Sequence, residues 1–237
     1  MVINFIFFNS GLELIPQNLR KHSLIRKEWQ FNISKRDRGI LLDGAIHNPL
    51  MDILPEANQR GRPDIIHHML LNTVYSSLFS KGILKVIIHT RDNICIDIPS
   101  TWRVPVNYNR FCGLFSQLLY QGRVPIQGEP ILKIESYSLD YILQSKPSSQ
   151  IILCETSQFS PEFPITIHSL SQIDLKTDLM FLIGGYQSGG LNFNVLNMLK
   201  NNHFSIILLS LYQDVLPAWV IVSKIICYLE EKIEVAY

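Results

Sequence analysis

The sequence predicts an α/β fold, and three observations carry that reading. "IILCE" (151–155), "LMFLIGG" (179–185) and "FSIILLS" (204–210) are continuous apolar runs of strand length. Such runs mark central parallel strands covered on both faces, because a half-exposed strand alternates apolar with polar residues. Strand-like and helix-like patterns alternate ahead of them, and an amphipathic segment from about 216 to 232 closes the chain.

Taken in order, "VINFIFF" opens the chain as a strand. "PQNLRKHSLIRKEWQ" follows as a basic helix with proline near its start. "GILLD" (39–43) reads as a short buried strand, and Pro63 and Asp64 start a helix that runs to about 75. "ILKVIIHT" and "ICIDIP" flank Arg91, Asp92 and Asn93 and read as a hairpin. "YNRFCGLFSQLLYQ" has helical period, the pattern weakens from 129 to 150, and "QSKPSSQ" is a surface loop.

With 237 residues, 47% hydrophobic and 17% charged, the chain can bury a core as one large domain or a domain with an insertion. A net charge of +1 excludes a uniformly basic nucleic-acid binder, so any RNA contact must come from local patches. No apolar run reaches the roughly 20 residues needed to span a bilayer. The first apolar run has no basic leader and reads as a strand, not a signal peptide. Cys95, Cys112, Cys154 and Cys227 are widely spaced, as reduced and mostly buried thiols of an intracellular protein are.

Each late strand runs into a loop unlike it: "CETSQFSPEFP", "GGYQSGGLNF" and "SLYQDVLPAW". Ligands of open α/β sheets sit beyond the carboxyl ends of parallel strands, so these loops are the leading pocket candidates. Gly184, Gly185, Gly189 and Gly190 allow close approach of backbone to a ligand, although glycines alone also suit an ordinary flexible loop. Neither GxGxxG nor GxxxxGK[ST] is present, and no GxSxG or activated cysteine points to nucleophilic catalysis.

A second constellation is basic. Arg60 and Arg62 precede the helix at Pro63, and Arg103 and Arg110 bracket "RVPVNYNR" before the next helix. Guanidinium groups near helix N-termini suit phosphate. Arg20, Lys21, Arg26, Lys27, Lys35, Arg36 and Arg38 form a further basic stretch, much of which a solvated helix face explains. Asp64 suits a first-turn position and can clamp Arg62, with proton removal the weaker reading. His67 and His68 diverge by about 100° on a helix and cannot share a metal. His89 has no partner in sequence, so no metal is expected.

The order "LLDGAIHNPL", "RPDIIHHMLL", "GILKVIIHT", "RVPVNYNRFCGLFSQLL", "FLIGGYQSGG" and "LPAWVIVSKIICYLEE" resembles the ribosome-biogenesis pseudouridine N1-methyltransferases of the SPOUT superfamily. The similarity spans nearly the whole chain, and the length resembles archaeal members. It implies a single SPOUT domain over 1–237, with extra strands and helices inserted around 44–128 and a C-terminal trefoil knot. The three late loops would form the knot and hold S-adenosyl-L-methionine. Implied cofactor contacts are Ile183, Gly184, Gly185 and Gly190 in the second loop, and Leu209, Ser210, Leu211 and Leu216 in the third. The implied RNA contacts are Arg62, Arg103 and Arg110, with Asp64 as base or scaffold. Two departures stand out: Val106 replaces a usual arginine, and Pro217 replaces a small polar residue in what is taken as the first helical position.

The implied reaction is methyl transfer to N1 of a pseudouridine in small-subunit ribosomal RNA. It would be carried out by a cytoplasmic homodimer, with ribosomal proteins or assembly factors as further candidates for partners and no membrane association. Two alternatives stay open at this point. One is a SPOUT methyltransferase for another RNA nucleotide; the other is an RNA-binding assembly factor with little or no catalysis.

Overall fold

A computed structural model of the chain describes residues 1–26, 39–146, 149–155, 165–190, 197, 199, 206–212 and 214–233. Its strands are β1 (Ile3–Ser10), β2 (Leu84–Thr90), β3 (Cys95–Ile98), β4 (Arg123–Val124), β5 (Leu132–Lys133), β6 (Gln150–Cys154), β7 (Ile165–Ile167), β8 (Leu179–Gly184) and β9 (Ile206–Leu209). Seven of them form one sheet in the order β3-β2-β1-β8-β6-β9-β7, and β4 pairs with β5 apart from it. Every pairing in the large sheet is parallel except β2 with β3, the expected hairpin. That hairpin extends the main sheet, because β2 lies beside β1 from Ile3↔Leu84 onward.

All eight residues of β1 are buried. Phe5 and Phe7 enter one hydrophobic cluster, whereas Ile6 and Phe8 enter another. Successive side chains of a strand point to opposite faces, so an unbroken apolar run is what a strand covered on both sides requires. The first face is covered by α2 (Pro63–Val74), α4 (Tyr108–Gln121) and α6 (Ala218–Lys232), through Ile65, Met69, Phe111, Phe115, Val222 and Ile225. The second is covered by α5 (Leu139–Gln144), through Leu139, Ile142 and Leu143. Short helices α1 (Asn48–Met51) and α3 (Ser77–Ser80) complete the set used below. No described helix is long and apolar enough to cross a membrane.

The structure departs from the sequence reading in three places. "GILLD" is not a strand. Leu41 makes only an isolated antiparallel bridge to Leu14, closed by Leu42 N–H on Glu13 C=O and Ile15 N–H on Ile40 C=O, and its own N–H goes to Ser116 Oγ at 3.1 Å. A helix hydroxyl takes the donor that would have continued the ladder. The basic segment after Pro16 begins as a 3-10 turn, Gln17–Leu19, with helical residues only from 23, and residues 27–38 lie outside those described. Finally, α5 forms inside the weakly patterned stretch, capped by the Ser138 side chain on Tyr141 N–H. The expected knot involves segment 156–164, which also lies outside the described residues, and segment 191–205, of which only 197 and 199 are described.

One crossing positions everything that follows. Past the end of β1, Gly11 N–H donates to Gly185 C=O at 2.9 Å, and Arg62 N–H donates to Gly11 C=O at 3.0 Å. Gly185 N–H in turn donates to Phe8 C=O at 2.9 Å. A Cβ on Gly185 would lie 2.5 Å from Ile66 Cδ1 and 2.9 Å from Ser10 Cα. Only glycine lets the loop after β8, the end of β1 and helix α2 meet this closely. Gly185→Val is expected to lower the unfolding free energy by at least about 2 kcal/mol, since a β-branched side chain is forced against backbone. A urea melt measures it, and an unchanged midpoint would show that the crossing can yield.

Candidate functional site

A cavity of about 220 Å³ opens at the carboxyl ends of β6 and β8. Its walls are Cys154 and Glu155 after β6, Ile183 and Gly184 at the end of β8, the Tyr186–Gly190 loop, and Leu216, Trp219 and Ile221 around the start of α6. The Tyr186 hydroxyl lies 3.2 Å from Glu155 Oε2, and its ring meets Phe8 edge-on at 5.9 Å. A Cβ on Gly184 would stand 2.7 Å from that ring, so glycine is what lets Tyr186 fold under the pocket. Burial pushes the Tyr186 hydroxyl well above its ordinary pKa, with Glu155 adding to the shift, so it stays a proton donor.

Ile183, Gly184, Gly190 and Leu216 therefore line the cavity. Leu209, Ser210 and Leu211 line a smaller adjoining cavity that shares Cys154, Glu155, Val215, Leu216 and Ile221 with the first. Gly185 is not in either wall; it faces Ser10 and Ile66 in the crossing described above. Pro217 is the N-cap of α6, not its first helical residue. Its carbonyl accepts from Val220 and Ile221 N–H, so proline starts this helix without a lost donor inside it.

Beside the cavity runs a groove of about 520 Å³ walled by Asp43, Asn58, Arg60, Asp64, Tyr108 and others. Arg62 and Gln187 line both spaces. Arg62 grips Asp64 with two bonds, Nε to Oδ1 at 2.9 Å and Nη2 to Oδ2 at 2.7 Å, and Nη1 donates to Gln187 Oε1 at 2.7 Å. Asp64 lies in the first turn of α2, where Pro63 follows the N-cap Arg62. Burial pushes the Asp64 carboxyl up, but the hydrogen bonds and charge of Arg62 outweigh it and hold the group below the usual carboxylate range. Deeper in the groove, the Tyr108 hydroxyl donates to Asp43 Oδ2 at 2.6 Å, and Ala45 N–H donates to Oδ1 at 2.9 Å.

The four arginines proposed from sequence are used differently. Arg60 forms a two-bond pair with Glu13, the side chains 11% and 4% exposed, so its guanidinium is committed to the interior wall. Only Arg62 stands between the two spaces. Arg103 is exposed, with Nη1 on the carbonyls of Ser100 and Trp102 at 3.0 Å each. Arg110 is exposed in the first turn of α4, which Asn107 caps through its side chain. Val106 is 70% exposed. In the further basic stretch, Lys21 and Arg26 are exposed, while Lys27, Lys35, Arg36 and Arg38 lie outside the described residues.

The histidines divide as the helix geometry requires. His67 turns inward, its Nε2 2.8 Å from Pro105 C=O and its ring 4.6 Å from that of Phe111. Because burial disfavours its charged form against the pull of that carbonyl, its pKa is lowered. His68 faces outward near Trp219 at 5.3 Å. His89 accepts Asn9 N–H on Nδ1 at 3.3 Å and pairs with Asn93 Oδ1 through Nε2, and burial lowers its pKa against the pull of Asn93. Cys95 and Cys154 are buried, Cys112 is partly buried and Cys227 is exposed, and none of the four is in a disulfide.

Several site residues carry no signal in sequence. Tyr186 and Gln187 sit inside the quoted glycine loop, yet nothing there marks them as pocket floor and bridge. Asn58 and Gln59 bond to that loop across about 130 positions. Tyr108 and Asp43 are 65 positions apart.

Comparison with known proteins gives the same picture. A family described as EMG1/NEP1 methyltransferase matches residues 5–230. "Ribosomal RNA small subunit methyltransferase Nep1" of Pyrobaculum aerophilum is 41% identical over 187 residues, covering 78% of this chain and 80% of that protein. The protein of the same name from Thermococcus kodakarensis is 30% identical over 97% of this chain and 98% of its own length. The crystal structure of Archaeoglobus fulgidus Nep1 bound to S-adenosylhomocysteine superposes with a TM-score of 0.82 at 26% identity, covering 98% of both chains. This breadth of agreement, in sequence and in the trace of the whole sheet, shows that the chain belongs to the EMG1/NEP1 methyltransferase family.

Proposed function

We propose that this protein transfers a methyl group from S-adenosyl-L-methionine to N1 of a pseudouridine in small-subunit ribosomal RNA, and that it does so as a homodimer. The observation that carries the reading is the shared wall: Arg62 and Gln187 line both a pocket at the sheet's carboxyl edge and a polar groove beside it. A donor and an acceptor bound in the two spaces would meet there. The names of the archaeal relatives, and the S-adenosylhomocysteine bound to the Archaeoglobus protein, support the assignment of pocket to cofactor and groove to RNA.

The pocket suits that cofactor. Apolar groups from Ile183, Leu216, Trp219 and Ile221 offer faces for an adenine ring, and the glycine-rich turn lets main-chain groups reach its edges. Glu155, held by Tyr186, offers a carboxylate to ribose hydroxyls or an ammonium group. Bound there, the cofactor supplies an electrophilic sulfonium methyl group. The remaining work falls to this chain. Apolar side chains exclude water, and Arg62, with the exposed Arg103 and Arg110 as further contacts, would hold phosphate oxygens. Uridine carries its glycosidic bond on N1 and cannot accept a methyl there, whereas pseudouridine presents an N–H. Its proton must leave as the new bond forms, so the groove has to stabilise the anion that develops. Arg62 is the cation placed to do so.

Asp64 has both oxygens on Arg62, which makes it a positioning group. Its depressed pKa has a definite consequence. The Arg62 pairing is fully present above the ordinary carboxylate value of about 4 and is lost only as pH falls through the lower folded value. Asp64 should therefore impose no inflection on kcat near neutrality. Asp64→Asn is expected to weaken RNA binding roughly tenfold, the cost of one charge-assisted hydrogen bond, with cofactor affinity kept. Loss of kcat by more than about a hundredfold at unchanged RNA affinity would instead make Asp64 the base.

The primary test incubates the protein with labelled S-adenosyl-L-methionine and two rRNA hairpins that differ only in uridine or pseudouridine. Transfer to the pseudouridine hairpin alone is expected. Tight binding of both without transfer would leave an assembly-factor role in its place. Arg110→Ala should lower the salt-dependence slope of RNA binding by about one while S-adenosylhomocysteine affinity holds. Light scattering checks the dimer, and a monomeric mass would remove that part of the proposal.

A further inference from the structure

The Gln187–Gly190 turn is tied at every residue to one short segment of the groove wall. Gln187 Oε1 accepts from Arg62 Nη1 at 2.7 Å. Ser188 exchanges two bonds with Asn58: its carbonyl accepts from Asn58 Nδ2 at 2.9 Å, and its N–H donates to Asn58 C=O at 3.3 Å. Gln59 Nε2 donates to Gly190 C=O at 3.1 Å and lies 3.4 Å from Gly189 C=O. A Cβ on Gly189, whose φ is +112°, would stand 2.3 Å from Asn58 Nδ2. The loop can be laced this closely only with glycine at that position.

Gln59 is itself held from behind. It is 5% exposed, in the 3-10 turn Ala57–Gln59, and its Oε1 accepts Asn9 Nδ2 at 2.8 Å. Asn9 is 1% exposed at the end of β1, in a left-handed backbone conformation with φ of 47°. The amide orientation is fixed from both ends, because the glycine carbonyls can only accept and so must face Nε2. A buried amide with both ends engaged is a strut between the end of β1 and the pocket turn.

We propose that Gln59, assisted by Asn58, is a positioning residue that sets the cofactor turn by the state of the RNA groove, so that the two binding events are energetically linked. The proposal rests on the methyltransferase reading above and names how its two spaces communicate. Pocket residues Ser188, Gly189 and Gly190 bond to Asn58 and Gln59, and the segment that carries these also carries Asn58, Arg60, Arg62 and Asp64 of the groove wall. A ligand that orders either side orders the other through these bonds. Linkage of this kind is reciprocal: RNA must tighten cofactor binding by the same factor as cofactor tightens RNA binding.

The experiment is calorimetric titration of the full chain with S-adenosylhomocysteine, alone and with a saturating pseudouridine hairpin. It is run on wild type, Gln59→Met and Asn58→Ala, with thermal melts to confirm folding. Methionine keeps the length of the side chain and deletes both amide ends. Asn58 is exposed, so Asn58→Ala keeps the test valid if the buried substitution does not fold. Wild type is expected to bind S-adenosylhomocysteine at least about fivefold more tightly with RNA present, the low end of usual coupling. Each folded variant should bring that ratio towards one, and kcat should fall more than KM for RNA rises. A brace with a merely structural role would lower the melting temperature and leave the ratio intact. That result, or wild type binding both ligands without linkage, overturns the proposal alone. Wild type that binds no S-adenosylhomocysteine overturns the methyltransferase reading, and the proposal with it.

Discussion

Three pieces of backbone meet at Gly11, and the placement of both cavities depends on that meeting. Gly11 gives its N–H to Gly185 and its carbonyl to Arg62 N–H, so the turn after β8 and the entry to α2 are fixed to the same residue just past the end of β1. A Cβ on Gly11 would lie 3.0 Å from Arg62 N, tighter than backbone normally tolerates. Buried backbone groups have to be paired, and here the pairing replaces a further rung of sheet with a loop and a helix start. From this point the groove wall is laid along one side of the pocket turn, and residues remote in sequence become neighbours.

The same geometry separates two arginines that look alike on paper. Arg60 and Arg62 stand two positions apart with one glycine between them, and Gly61 adopts a φ of +55°. That turn, closed by Gly44 N–H on the Gly61 carbonyl, sends the two side chains to different partners. Arg60 goes to Glu13 behind the groove; Arg62 comes forward to Asp64 and Gln187. An arginine paired to a carboxylate only 4% exposed cannot leave it without stranding a buried charge, so Arg60 is unsuited to a mobile phosphate contact. Arg62, its side chain 26% exposed, keeps its guanidinium edge at the boundary of the two spaces.

What was legible in the sequence follows from the range of the interactions involved. The continuous apolar runs at β6, β8 and β9, and the nearly continuous run at β1 broken by Asn4, announce strands because burial on two faces is written into consecutive residues. Pro63 announces α2 because its ring suits a helix start. "GILLD" has the same apolar signature, yet its backbone partners are Ser116 and Glu13, which no local pattern names. The glycine loop was visible as a candidate pocket, but the roles of individual glycines were not. Gly184 makes room for a tyrosine ring, Gly185 for a strand end and a helix side chain, and Gly189 for an asparagine amide. Each role is set by what the fold brings opposite the missing Cβ, and sequence alone does not say what that is.

The chemistry of the groove is governed by the same pairing logic. A carboxylate with both oxygens on an arginine is a poor base, since taking a proton would forfeit two charge-assisted hydrogen bonds. Asp43 is the buried carboxylate of the groove, and it already accepts from Tyr108 and from Ala45 N–H. Burial, with that bond to Asp43, keeps the Tyr108 hydroxyl protonated far above neutrality, so it too is a donor and not a base. Among the described residues, then, the polar groups of the groove wall stabilise negative charge and hold position. They do not form an obvious proton acceptor. On the proposed reading, the N1 proton leaves as the methyl bond forms, and the Arg62 guanidinium offsets the charge that develops. The arrangement around Arg62 is consistent with a reaction accelerated mainly by placing an activated nitrogen in line with an electrophilic methyl group, and only secondarily by general-base chemistry.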